Sequence, residues 1–306
     1  MGEETGALPA AQPAPLPLRR FTRGAAGGPQ TRRLLIDRAT TVGVVLCTAA
    51  AVFVLSAILL HVLANGAGAL NLAFFTERPL PIGEVGGGVA PALLGTLMMV
   101  GVAALMGVPT GIGTAVYLSE YGRGRFATLV RFTIDLIAGV PSIVVGVFVW
   151  AVLVRSVVGH FNGLAGSVAL AIIMVPIVTR TVEEVLRLVP DTLREASLGL
   201  GIPRWKTILA IVVPTAKSGV ITGTVLSMAR AGGETAPLLL TALGNQFFNF
   251  DLLQPTASLP VQIYNYAVAP YDDWHTKAWG AAFVLIVVIG LLSFITRRVT
   301  GGSLRG

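Results

Sequence analysis

Charge is scarce in this chain: only 12% of its 306 residues are Asp, Glu, Lys or Arg. Soluble domains average about 25%. With 54% apolar residues and a mean hydropathy of +0.78, too little polar surface remains to cover a globule in water, and the bilayer is the fitting solvent. Cysteine is nearly absent too. The lone Cys47 excludes an internal disulfide, and neither it nor the three scattered histidines, His61, His160 and His275, offers a zinc spacing. Cys47 reads as a small apolar core residue, and the histidines as interfacial residues near the ends of apolar runs. Also missing is the G-x-x-x-x-G-K-[ST] loop that cradles nucleotide phosphates; the nearest string, Arg204-Trp205-Lys206-Thr207, has no glycine before its lysine. The chain is therefore expected to bind no cofactor and to be no enzyme, since no nucleophile–base pairing suggests an intramembrane protease or transferase.

Long apolar runs and glycine are what the sequence does supply. Its 36 glycines suit membrane helices that pack backbone to backbone. A spanning helix needs about 20 apolar residues, and six runs qualify: 41–63, 89–118, 132–154, 164–179, 219–243 and 278–296. Open sheet edges are forbidden in hydrocarbon, so runs this long predict helices. The second is overlong and interrupted by Pro109, the third carries Asp135 and Pro141, and the fourth is short with Pro176 near its end. The fifth carries Arg230 and Glu234. The expected fold is an all-α integral membrane protein of six transmembrane helices.

Residues 1–38, rich in Pro, Ala, Gly and Arg, read as a disordered tail. They lack the early apolar core and cleavage site of a secretory signal, so the first run is expected to stay as an anchor. The first helix and its outer loop occupy 39–87, a core occupies 88–296 with a polar loop at 182–217, and a short tail occupies 297–306. Of the 22 basic residues, 18 fall in the two tails and in segments 119–131 and 180–217. Only Arg78, Arg155 and Lys277 lie on the opposite side, with Arg230 inside a span. That bias predicts a cytoplasmic location for both termini, and its dispersal between apolar runs argues against nucleic acid as a partner. The opposite segments are acidic, and 244–277 is rich in Phe, Tyr and Trp, either an interfacial belt or a surface for an outside partner.

The segment Arg180–Gly219 carries the most information. Pro190 and Asp191 suit a helix start, and Thr192–Leu198 offers a short amphipathic helix. Gly199 and Gly201 end it at low cost. Pro203 can open the next helix, with Trp205, Ile208, Leu209 and Val212 as an apolar stripe, and Pro214 breaks the chain towards the fifth run. Physically this is a helix–turn–helix outside the bilayer, a form suited to presenting one short helix to a cytoplasmic partner.

The spacing Glu195-Ala196-Ser197, three residues, Gly201, nine residues, Ile211, one residue, Val213-Pro214 resembles the E-A-A-x3-G-x9-I-x-L-P loop of ABC importer permeases. Ser197 stands for the second alanine and Val213 for the leucine. A second stretch, Arg230-Ala-Gly-Gly-Glu234-Thr-Ala-Pro237-Leu, resembles the R-x-x-G-E-T-A-P-L signature of phosphate permeases. So do Gly87–Thr96, the run Tyr117-Leu-Ser-Glu120-Tyr121-Gly, and Ser258–Tyr264. The resemblance covers residues from about 85 to the C-terminus. It implies a type I ABC importer permease in the bacterial inner membrane whose coupling helix, carrying Glu195, Ala196, Ser197 and Gly201 ahead of Ile211 and Pro214, docks on a separate ATPase. Implied partners are a second permease subunit in a heterodimer, two ATP-binding subunits that bind the ATP and Mg, and an extracytoplasmic phosphate-binding protein. A permease for another oxyanion, the sister phosphate permease, and a stand-alone secondary transporter or channel remain the other readings of the same residues.

Charges inside the spans are the candidate pathway. A central Arg costs roughly 2.5–3.5 kcal/mol on insertion scales, so Arg230 needs compensation, and Glu234 lies on the same helical face four residues on. The pair is either a structural ion pair or part of a polar path in which Arg230 meets the anion. Arg180 and Glu183 repeat the arrangement at i,i+3, and Asp135 is a counter-ion for either arginine or part of a subunit contact.

Overall fold

The computed structural model describes residues 29–81, 84 and 86–301. Among them every regular element is helical. The chain divides into two compact units with the boundary between Ser56 and Ala57. The first helix, α1 (Pro29–Gly66), crosses that boundary. It begins inside the stretch expected to be disordered: residues 29–38 are helical, while 1–28 lie outside the described residues. Proline is well tolerated at a helix start, and nothing between Gln30 and Arg38 breaks the helix. Cys47 is exposed on α1 and not part of a core.

In the second unit a 3-10 turn (Ala67–Ala69) leads to the short α2 (Leu72–Thr76), capped where the Asn71 side chain accepts from the Phe74 amide at 2.8 Å. Helix α3 (Ala90–Val116) runs on through a π-helical turn, Tyr117–Tyr121. Pro109 does not interrupt it; neighbouring Thr110 adds a hydroxyl bond to the Met106 carbonyl at 2.6 Å, the kind of local bond that lets membrane helices carry proline. Helix α4 (Gly124–Gly139) and α5 (Ser142–Val149, extended as a π-helix through Trp150–Val158) correspond to the expected third run, but they meet at 101°. Pro141 lacks an amide and keeps Val140 extended, which turns a kink into a corner.

Helix α6 (Gly163–Arg187) is longer than its apolar run, continuing past Pro176. Next come α7 (Asp191–Gly199) and α8 (Arg204–Thr207), the latter continued by a π-helical turn (Ile208–Val212) and α9 (Val213–Thr215). Helix α10 (Lys217–Gly232) follows after a 72° bend. It stops well short of the expected limit at 243: Gly232 and Gly233 weaken the helix, and the chain re-forms as α11 (Ala236–Thr241) with Pro237 in its first turn. The last helices are α12 (Leu259–Val268) and α13 (Asp272–Gly301), the second running into the expected C-terminal tail. Among the described residues, four helices are long and apolar enough to cross a membrane, or up to six if each bent pair is one span.

Helices α3 and α6 form the central seam. A Cβ on Gly111 would lie 2.7 Å from the Val178 Cβ, so glycine sets how near the helices come. The Thr179 hydroxyl donates to the Gly111 carbonyl at 3.3 Å across the same contact. Met99, Leu170, Met174 and Leu238 fill the middle of the unit, and Val178, Val182, Leu186 and Val212 fill the end nearest α7. At the other end Phe74, Leu259 and Tyr266 pack with α13, and the Leu259 amide donates to Thr96 Oγ1 at 2.7 Å.

Candidate functional site

The elbow formed by α7 and α8 is built as its residues dictate. Pro190 is the N-cap and Asp191 opens the first turn, where its charge complements the helix dipole. Gly201 adopts φ +78°, the left-handed conformation that glycine accepts freely. Pro203 caps the second arm. A buried hydroxyl pair, Ser197 Oγ and Thr207 Oγ1 at 2.8 Å, ties one arm to the other. Glu195 and Ala196 are exposed, Ile211 is half-buried, and Pro214 is exposed two residues before the bend at Ala216. The expected apolar stripe divides: Ile208 and Val212 are buried, whereas Trp205 and Leu209 face outward. Residues four apart share a helix face, so the four positions make two stripes and not one. Leu193, Leu198 and Leu200 of the first arm are exposed as well.

Beneath the elbow lies an ion network that local spacing did not reveal. Glu120, on the π-helical turn ending α3, is buried, and Arg194 of α7 reaches it with Nη2 to Oε1 at 2.7 Å and Nε to Oε2 at 3.2 Å. Arg194 also donates to the carbonyls of Leu186 (3.0 Å) and Val189 (2.5 Å) and to Asp191 Oδ1 (3.1 Å). The hydrogen bonds that Arg194 donates to the Glu120 carboxylate raise its pKa above the usual arginine value, against partial burial, which works the other way. Arg204, on the second arm, donates to the backbone carbonyl of Glu120 and lies 4.9 Å over the Tyr121 ring.

The charged residues expected within the spans are brought together differently from their spacing. Arg180 does not pair with Glu183; it meets Asp135 of α4. Glu183 is buried and accepts from Arg131 Nε at 3.0 Å and Arg187 Nη2 at 2.5 Å. Helical neighbours three apart had suggested the first pair, but α4 packs against this stretch of α6 and supplies closer partners. Arg230 and Glu234 do face one another, loosely, at 4.0 Å. They share no continuous helical face, since α10 ends between them at Gly232. The Arg230 side chain is 67% exposed. Both line a cavity of about 270 Å³ at the α4–α5 corner with Pro141, Ser142 and Pro176.

His160 and His275 bond through Nε2 to the Leu253 and Ala269 carbonyls, and His61 stands edge-on to Trp279. Among the described residues no group of three His, Cys, Asp or Glu side chains stands where it could hold a metal ion.

A multi-pass helical membrane unit carrying a polar helical elbow between two spans is the architecture of a transporter's membrane component. The chain belongs to the family described as the binding-protein-dependent transport system inner membrane component, whose model matches residues 107–301. It is 43% identical over 243 residues to the phosphate transport system permease protein PstA of Yersinia pestis, covering 79% of this chain and 82% of that one. It is 44% identical to PstA of Haemophilus influenzae (78% and 85% covered) and 46% identical to PstA 1 of Mycobacterium tuberculosis strain H37Rv (71% and 70%). Its fold is similar to a chain of the inward-facing MetNI methionine ABC transporter, with a TM-score of 0.59 at 19% identity, over 70% of this chain and 95% of that one. Membership implies work alongside an ATPase and a substrate-binding protein.

Proposed function

We propose that this chain is one of two permease subunits that together line the path of an ATP-driven phosphate importer. The reading rests on one observation above the others: over roughly four-fifths of its length the chain resembles phosphate transport system permeases, and the part that would meet a motor is an exposed elbow carrying Glu195 and Ala196 at its surface. In this reading the elbow and both termini are cytoplasmic. Helix α7 is the coupling helix and sits in a cleft of an ATPase, two copies of which bind ATP and Mg. A phosphate-binding protein delivers its anion to the opposite face, where Phe247, Phe248 and Phe250 are exposed.

The pathway hypothesis assigns Arg230 to meet the anion in the cavity at the α4–α5 corner, with Glu234 weakening its grip. A guanidinium fork suits phosphate oxygens, and the loose 4.0 Å pair leaves most of Arg230 free to offer one. Arg180 with Asp135 would extend the polar face towards the elbow. Glu183, held by two other arginines, would serve the scaffold. A site that is too deep would stall release, as in any conducting path.

The test is to isolate the tagged chain from native membrane and identify what accompanies it, then to measure phosphate uptake in cells lacking the chain. An ATPase and a second permease in the isolate, with uptake lost in the deleted cells, is the expected result. Isolation without any ATPase, or undiminished uptake, would remove the proposal.

A further inference from the structure

Both arms of the elbow are fastened to one residue outside it. Arg194 of α7 grips the Glu120 carboxylate with two nitrogens, and Arg204 of α8 grips the Glu120 backbone carbonyl. Glu120 is itself buried and continuous with α3 through the π-helical turn. Its other polar contact is the neighbouring Ser119 hydroxyl, at 3.3 Å from Oε1. The arms are joined to each other by Ser197 and Thr207. Covalently the elbow leads only into α6 and α10; it has no chain connection to α3.

We infer that Glu120 is a positioning residue that makes the elbow and the adjoining end of α3 move as one body, so that a push on α7 reaches the α3–α6 seam directly and not only through α10. Three features carry this. A forked guanidinium–carboxylate contact fixes orientation as well as distance, which a single point charge does not. The carboxylate is buried, so water does not screen the attraction as it would at a surface. The second arginine binds a backbone atom, so the attachment holds the main chain of α3 and not merely a side chain that can swing. A purely structural ion pair would need one arm; two arms on one residue resist rotation of the elbow about either.

The inference rests on α7 being the site of ATPase docking, and the test separates the two. The wild-type complex, with its co-isolating ATPase and second permease, is reconstituted with its binding protein and compared with Glu120→Gln and Glu120→Asp. Phosphate taken up per ATP hydrolysed is the readout, which a merely structural role would leave unchanged in whatever complex assembles. Glu120→Gln is expected to lower that ratio by about fivefold or more while ATP hydrolysis continues, with Glu120→Asp intermediate. An unchanged ratio in assembled complex overturns the inference.

A second measurement does not depend on assembly surviving the substitution. Nitroxide labels at the exposed Arg123 and Leu200, in a Cys47→Ala background, report the distance between the end of α3 and the elbow. One narrow distribution is expected with Glu120 in the isolated chain, and the same one in the resting and vanadate-trapped complex. The distribution is expected to broaden with Gln. Equally broad distributions in both would overturn the inference. A cross-link from Leu200 to the ATPase checks the docking itself: its absence removes the proposed coupling role and leaves the label result standing on its own.

Discussion

Glu183 Oε1 lies 3.0 Å from Arg131 Nε, and through this pair a buried carboxylate of α6 holds α4 in place. Arg131 also donates to the Leu118 carbonyl at 2.8 Å, so one guanidinium binds three elements: α4, α6 and the π-helical turn after α3. Removing the carboxylate charge leaves two arginines without their shared counter-ion and replaces one acceptor oxygen by a donor. Glu183→Gln is expected to destabilise the purified protein by about 2 kcal/mol, read as a lower midpoint of thermal unfolding in detergent. Arg187→Ala, whose side chain is 55% exposed, should cost far less. Equal effects would contradict the central role given to the Arg131 contact.

The α3–α6 seam gives a second prediction with its own control two residues away. A methyl group on Gly111 would meet Val178, whereas one on Gly113 has nothing within 4 Å. Gly111→Ala is expected to cost roughly 1–3 kcal/mol through overpacking. Gly113→Ala should be neutral or slightly stabilising, because alanine favours helix. The two variants can be compared by yield and thermal midpoint from the same membranes.

Ser197 stands where the importer motif has its second alanine, and here its hydroxyl is bonded to Thr207 in a buried setting. Ser197→Ala should therefore cost about 1 kcal/mol, even though it restores the motif. Thr207→Val should cost a similar amount, and the double variant no more than either single one, since both changes remove one bond. Additive losses would show that the hydroxyls act separately.

Arg230→Ala tests the proposed anion contact. The assembled complex is expected to persist while phosphate uptake falls by about tenfold or more, equivalent to roughly 1.4 kcal/mol of lost interaction. Lys at this position should restore part of it, as a charge without the fork. Transport at the normal rate in Arg230→Ala would remove Arg230 from the path.

Apolar length and the elbow were the legible parts of this sequence. Both arms and their caps follow from Pro190, Gly201 and Pro203, because each of these residues limits its own backbone. Pro141 marked a disturbance in the third run without its size: a proline fixes local dihedrals, while the 101° turn depends on what α5 packs against. Arg180 had a neighbour at i,i+3 and took Asp135 instead. Glu120 lay in plain view within Tyr117–Gly122, yet its partner comes 74 positions later. Contacts between helices are set by packing, and helical periodicity says nothing of them.

The bared flank of Arg230 has an architectural consequence. Its guanidinium sits at the rim of a hollow whose walls come from α4, α5, α6 and the end of α10. Hydrocarbon would be a hostile medium for so naked a cation. On the proposed function, this chain supplies one bank of a watercourse, and the bank opposite falls to the second permease subunit.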